Sequence, residues 1–186
     1  MKVEDAQDGP VSAGRLVLDR FAWIEGHADI WAVFRDATAF RLVVTALAEQ
    51  YRSEAITAVC GIESRGFLLG APVAVELRAG FVPIRKTAGL LPGAKVRCAT
   101  DPDYRGQSYV LRMQRSALKP GDRVVLVDDW IETGSQVRAA AQMIMECGAE
   151  LVGCSVIVDD MSDALRSKMC RVSSLLRADE LPGEGT

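Results

Sequence analysis

Histidine occurs once in the 186 residues, as His27, and that scarcity excludes a metal site built from several imidazoles. A lone histidine beside Gly26 reads as a turn residue before it reads as a catalyst. No two of the five cysteines (Cys60, Cys98, Cys147, Cys154 and Cys170) have C-x-x-C spacing. Most lie in apolar segments, so they read as reduced core thiols of a cytosolic protein rather than disulfides or metal ligands. No apolar run approaches the ~20 residues of a membrane span, and the polar start MKVEDAQDGP lacks the apolar core of a signal peptide. Positive charge is not in excess either. With 22 Lys and Arg against 25 Asp and Glu, the net charge is −3, which argues against nucleic acid or a membrane as partner. An anionic ligand must therefore be met by local donors or a metal. Repeats and low-complexity segments are absent.

What is present fits one α/β domain. Residues 1–14 and 181–186 read as flexible ends, and 15–180 as the domain. RLVLDRFAWIEG reads as extended, with a turn near Gly26. TAFRLVVTALAEQYR places Phe40, Val43, Val44, Leu47 and Tyr51 at helical spacing, with Thr38 as the cap. AITAVCGI is a short continuous apolar run, the pattern of a buried parallel strand. The segment FLLGAPVAVEL reads as a helix despite Pro72, and FVPIRK as a strand. Residues 87–106, rich in Gly, Pro and polar side chains, read as a long functional loop. QSYVLRMQ alternates as a strand, KPGD is a turn, and RVVLVDD is a buried strand. SQVRAAAQMIMECGA is a helix ending at Gly148, LVGCSVIVDD a strand, SDALRSKM a short helix and VSSLLR the last strand. Strands alternating with helices predict a doubly wound parallel sheet, with ligands bound beyond the carboxyl ends of its strands. Three loops fall there: ESRG, RKTAG and DDWIETGSQ.

The last of these carries the most chemistry. A strand–turn–helix with small residues at the helix start offers backbone N–H groups to an anion, and Thr133 and Ser135 add hydroxyls. The adjacent Asp128 and Asp129 suit vicinal hydroxyls or a hydrated cation. Alternatively, the acids cap the next helix. The turn lacks GxxxxGK[ST], and no GxGxxG follows any predicted strand, so nucleoside triphosphate and dinucleotide readings lose support.

VVLVDDWIETGS resembles the phosphoribosyl diphosphate signature of type I phosphoribosyltransferases. FRD (34–36), GIESRGFLLG (61–70), IRK (84–86), LPG (91–93), ALKPGDRVVLVDD (117–129) and VSSLL resemble the adenine branch of that family, in its order, across roughly residues 30–178. The resemblance implies a purine salvage enzyme. It would transfer ribose 5-phosphate from phosphoribosyl diphosphate to a purine base, with Mg²⁺ as cofactor and a cytoplasmic homodimer as its form. Asp128 and Asp129 would hold the ribose hydroxyls, directly or through the metal, and Glu132, Thr133, Gly134, Ser135 and Gln136 would wrap the 5′-phosphate. Ser64, Arg65 and Gly66 would bind the diphosphate, with a cis peptide between Glu63 and Ser64, helped by Arg85 and Lys86. Asp103 and Tyr104 would act from a lid over 87–106.

A hood at about residues 15–37 would cover the base, with Phe34, Arg35 and Trp130 as its contacts. For the two aromatic residues, core packing and stacking on the purine both stand. The chain departs from the family in a shortened segment after Phe34–Arg35–Asp36, in Gln136 where threonine is usual, and in Glu132. The last is either a bystander to the phosphate or a catalytic acid–base group near the ring nitrogens, as in the 6-oxopurine branch. Three other readings compete with adenine transfer: a 6-oxopurine enzyme, a non-catalytic sensor of phosphoribosyl diphosphate, and a small domain binding another sugar phosphate. The sensor reading lacks an appended nucleic-acid-binding domain, and the binding-domain reading leaves ESRGF and LPG unexplained.

Overall fold

A computed structural model describes residues 10–86, 91–102 and 106–183. Five strands form the central sheet: β3 (Ala58–Ile62), β4 (Gly80–Ile84), β7 (Arg123–Ile131), β8 (Glu150–Asp159) and β9 (Val172–Arg177). All pairings are parallel, in the order β4-β3-β7-β8-β9. This is the expected parallel sheet, and its apolar runs explain it. Every residue of β3 is buried, as are Val124–Val127 of β7. The period of two along β7 divides these residues between two cores. Val124 and Leu126 pack with Met143 and Ile144 of α5 (Ser135–Glu146) and with a hairpin of β5 (Lys95–Ala99) and β6 (Val110–Gln114). Val125 and Val127 pack on the opposite face. There they meet α1 (Pro10–Leu18), α3 (Ala37–Glu49) and α4 (Arg65–Leu77). Each fully buried aliphatic side chain contributes about 1.5–3 kcal/mol.

The chain winds outward in both directions from the boundary between β3 and β7. Ligands of such sheets sit where the strand order reverses, beyond the carboxyl ends. That boundary brings the loop after β3 and the acid pair of β7 side by side.

Several elements differ from the sequence reading. Residues 10–18 form α1, where extended structure was expected from Arg15 onward; packing of Ala13 and Val17 into the second core outweighs the poor helix propensity of Gly14 and the valines. Asp36, not Thr38, caps α3, its carboxylate accepting from the backbone N–H groups of Thr38 (2.9 Å) and Ala39 (3.0 Å). Residues 95–99, expected within a loop, form β5 because Lys95–Ala99 pairs in register with Val110–Gln114. Strand β7 does not stop at the two aspartates: Asp128 and Trp130 remain in register with Val156 and Val158 of β8. The five cysteines are free thiols; Cys60, Cys147 and Cys154 are buried, while Cys98 and Cys170 are half-buried.

Before the main sheet stand a two-stranded hairpin, β1 (Ala22–Ile24) and β2 (His27–Asp29), and the short helix α2 (Trp31–Arg35). The turn between β1 and β2 is Glu25–Gly26, both at positive φ. The indole N–H of Trp23 donates to the carbonyl of Pro182 at 2.7 Å, tying the hairpin to the far end of the chain. Among the described residues no helix is long and apolar enough to cross a membrane.

Candidate active site

A cleft of about 870 Å³ opens at the switch point. Its floor is the carboxyl end of β7, and its walls are the loop after β3, the start of α5 and the β1–β2 hairpin with α2.

The acid pair sits at the floor. Asp129 is only 6% exposed, and its Oδ2 lies 3.0 Å from Nε of Arg65. That oxygen has no aligned hydrogen bond, so the contact is an ion pair only. Asp128 Oδ1 accepts the backbone N–H of Asp129 at 3.0 Å. Desolvation at the enclosed floor, together with repulsion from Asp129, pushes the Asp128 carboxyl well above the usual carboxylate range; the nearby charge of Lys86 pulls it back. Two carboxyls held this close to each other favour an arriving cation or hydroxyl donors.

Arg65 reaches this pair because α4 begins directly against β7. A Cβ on Gly66 would stand 2.9 Å from the Val127 carbonyl oxygen and 3.1 Å from Asp128 Oδ1. Only a residue without a side chain permits that approach. The Glu63–Ser64 peptide just upstream is cis, as the resemblance implied.

Glu63 organises the second cationic loop. Its Oε2 accepts the Lys86 backbone N–H at 2.9 Å, and its Oε1 lies 3.4 Å from Nη2 of Arg85. Lys86 lines the cleft, with its ammonium 5.5 Å from the centre of the Tyr109 ring, within cation–π range. Arg85 does not line the cleft; it stands behind it against Glu63.

The anion turn runs Glu132–Gln136. Gly134 caps α5 at φ +67°, a left-handed conformation that strains any other residue. Thr133 Oγ1 accepts the Ser135 backbone N–H at 3.3 Å. Arg138 clamps the turn from outside, donating to the Thr133 carbonyl at 2.9 Å and to Asp101 Oδ2 at 2.8 Å. The result is a helix N-terminus opening on the same cleft as the acids and Lys86. The positive end of that helix favours an anion.

Most of the expected residues thus come together. Ser64, Arg65, Lys86, Asp128, Asp129, Trp130, Glu132, Thr133, Gly134, Ser135 and Gln136 all line the cleft. Gly66 lies beneath it as a packing residue. Asp103 and Tyr104 fall outside the described residues, as do 87–90 of the expected lid. Phe34 and Arg35 are not brought to the cleft. Phe34 packs, tilted and edge-on, between Trp31 (5.4 Å between ring centres) and Phe40 (5.7 Å). Arg35 instead lines a shallow depression with Arg20 and Asp36. His27, read from the sequence as a turn residue, also lines the cleft; so do Trp23, Trp31, Tyr109 and Asp160, which were not singled out from the sequence. The alternation that marks β6 was the one available signal for Tyr109; nothing local marked the others.

A floor of two acids, a cationic wall and a helix-terminal anion turn at the switch point form a site for a phosphorylated, hydroxyl-rich ligand. The chain belongs to the phosphoribosyl transferase domain family, whose model matches residues 31–180. It is 44% identical over 131 residues to the adenine phosphoribosyltransferase of Paracoccus denitrificans, covering 70% of this chain and 68% of that one. The crystal structure of adenine phosphoribosyltransferase from Rhodothermus marinus superposes with a TM-score of 0.78 at 31% identity, covering 89% of this chain and 98% of that one. The enzyme from Saccharomyces cerevisiae, solved with adenine and an imino-altritol bisphosphate, gives 0.75 at 32% identity over 89% and 99%.

Proposed function

We propose that the protein is an adenine phosphoribosyltransferase of purine salvage. It joins adenine to the ribose 5-phosphate of 5-phosphoribosyl 1-diphosphate, forming AMP and releasing diphosphate. The observation that carries this reading is the convergence of Asp128–Asp129, Arg65, Lys86 and the Thr133–Gln136 turn on one cleft.

In this reading the turn's backbone N–H groups and the hydroxyls of Thr133 and Ser135 hold the 5′-phosphate. Asp128 and Asp129 accept hydrogen bonds from the ribose hydroxyls. As the bond to diphosphate breaks, positive charge builds on the ribose, and the acids beneath it stabilise that charge. Arg65 and Lys86 receive the negative charge of the departing diphosphate, with Ser64 beside them and Arg85 braced behind. Asp103 and Tyr104 are assigned to the lid that excludes water, which matters because an activated sugar otherwise hydrolyses.

Magnesium fits this donor set. Among the described residues no cluster of three or more His, Cys, Asp or Glu forms a metal cage, and magnesium usually keeps its waters and binds through one or two carboxylates plus substrate phosphates. Asp128 and Asp129 would hold it indirectly, and when bound it neutralises charge on the diphosphate. The protein is assigned to the cytoplasm as a homodimer, without nucleic-acid or membrane partners.

One observation favours a second reading. Glu132 lines the cleft, where a carboxylate near the base suits a 6-oxopurine such as hypoxanthine or guanine. The deciding experiment incubates the protein with 5-phosphoribosyl 1-diphosphate, Mg²⁺ and adenine, hypoxanthine, guanine or xanthine, and follows diphosphate release. Fastest release with adenine is expected. Fastest release with a 6-oxopurine transfers the assignment to that branch, and no release with any base, despite tight binding of the sugar diphosphate, leaves a sensor.

A further inference from the structure

Arg138 does not line the cleft, yet it grips the turn that forms the cleft's anion site. It lies on the first turn of α5, and its guanidinium bonds in two directions. Nη1 donates to the Thr133 carbonyl at 2.9 Å, and Nη2 donates to Asp101 Oδ2 at 2.8 Å. Met169 backs the same place. Its Sδ is 4.0 Å from Nη1, and it lies 3.1 Å from where a Cβ on Gly134 would stand.

The consequence falls on the peptide between Thr133 and Gly134. That peptide is trans, so its C=O and N–H point in nearly opposite directions. Thr133 and Gly134 line the cleft, whereas Arg138 stands outside it. A carbonyl turned out onto Arg138 therefore turns the Gly134 N–H inward, toward the cleft. The cation on the carbonyl also polarises the peptide, which makes that N–H a better donor. Gly134, at φ +67°, gives the turn little stiffness of its own. A flip of this peptide would present a carbonyl oxygen, with its partial negative charge, to an arriving anion.

We infer that Arg138 is a positioning residue for the 5′-phosphate: it fixes the direction of the Thr133–Gly134 peptide, and Asp101 holds it to that task. The assignment rests on the proposed purine transfer, in which this turn takes the phosphate. It deepens that reading by extending the phosphate site to a side chain behind the turn and to Asp101, just beyond the end of β5. The two parts differ in size. Losing one hydrogen bond to a charged group weakens binding roughly 10- to 150-fold. The Arg138–Asp101 pair is exposed on both sides, and losing such a pair costs no more than about fivefold. The 5′-phosphate takes no part in bond breaking, so its contacts are equal in ground and transition states. Their loss shows in KM rather than in turnover.

The test uses the full chain and three variants, Arg138→Ala, Arg138→Lys and Asp101→Asn. Steady-state kinetics with adenine and 5-phosphoribosyl 1-diphosphate give both KM values. Calorimetry gives Kd for AMP and for adenosine, which lacks the phosphate. Arg138→Ala is expected to raise KM for the sugar diphosphate and Kd for AMP roughly 10- to 150-fold, with KM for adenine and Kd for adenosine within about twofold. Arg138→Lys keeps the charge but loses the fork, and should fall between wild type and Arg138→Ala. Asp101→Asn should raise the same two constants by no more than about fivefold. Arg138→Ala with the wild-type KM for the sugar diphosphate and Kd for AMP overturns the assignment and leaves the proposed function standing. Equal weakening of AMP and adenosine also overturns it, because a loosened fold does not single out the phosphate. A wild-type protein that binds AMP no better than adenosine, and releases no diphosphate with any purine base, overturns both.

Discussion

Replacing Gly66 with alanine adds one methyl group at the tightest contact beside the acid pair. The new Cβ would stand 2.9 Å from the Val127 carbonyl oxygen, about 0.5 Å inside ordinary contact, and 3.1 Å from Asp128 Oδ1. Neither neighbour is the free end of a flexible side chain. One is backbone of a central strand, and the other is a carboxylate whose Oδ1 already accepts the Asp129 N–H. The start of α4 must therefore move by several tenths of an ångström. Overpacking of this kind costs about 1–3 kcal/mol, and the better helix propensity of alanine returns up to about 1 kcal/mol. Net destabilisation should be about 0–3 kcal/mol, so the fold survives. Activity should suffer more, because the same shift carries Arg65 away from Asp129; a displacement near 1 Å can cost ~10²-fold. Chemical denaturation and steady-state kinetics measure the two effects separately. Turnover and KM for 5-phosphoribosyl 1-diphosphate both within twofold of wild type would show that close contact between α4 and β7 does not position the site.

Three further expectations follow from the same cleft. A folded-state pKa raised above the ordinary Asp value means that the ligand-free protein loses stability as pH rises from about 4 through the raised Asp128 value. Asp128→Asn keeps the acceptor for the Asp129 N–H and removes that charge, so its melting temperature should exceed wild type at pH 7 and converge with it below about pH 4; a lower melting temperature at pH 7 contradicts the assigned cause. The Asp128→Asn/Asp129→Asn double variant should stay folded by circular dichroism yet lose at least about 10²-fold in turnover, and near-normal turnover removes the pair from the mechanism. Glu132→Ala should keep its adenine rate within a few-fold and its KM for the sugar diphosphate unchanged, whereas a loss of ~10²–10⁴-fold with hypoxanthine as best base marks Glu132 as an acid–base group.

The central sheet was legible because its inner strands are buried on both faces and read as continuous apolar runs, as in AVCGI and VVLV. The anion turn and acid pair were legible because their chemistry is local: donors, acids and the Thr-Gly-Ser turn lie within nine residues. Strand β5 was hidden because KVRCA offers only Val96 and Cys98 as inward apolar positions inside a Gly- and Pro-rich stretch; its partner β6, with Leu111 and Met113 both buried, was not. The hood was the least legible part. Trp31 and Trp130 share the cleft although 98 residues separate them in sequence, and no periodicity within the hairpin announces that it folds back over β7. The bracing role of the Glu63 carboxylate was hidden for a related reason: its partners, Arg85 and Lys86, lie more than twenty residues away.

The hydrogen bond from Trp23 to Pro182 spans 159 residues, and α1 packs beside β9 through Ala13, Val17 and Leu176. On a ribosome adding about 5–20 residues per second, the hairpin therefore emerges roughly 8–30 s before its anchor exists. During that interval Ala13, Val17 and Phe21 have no final strand to cover them. The wall of the cleft made first is completed last: until β9 and Pro182 are made, the hairpin lacks its hydrogen bond to Pro182 and α1 lacks its contact with Leu176.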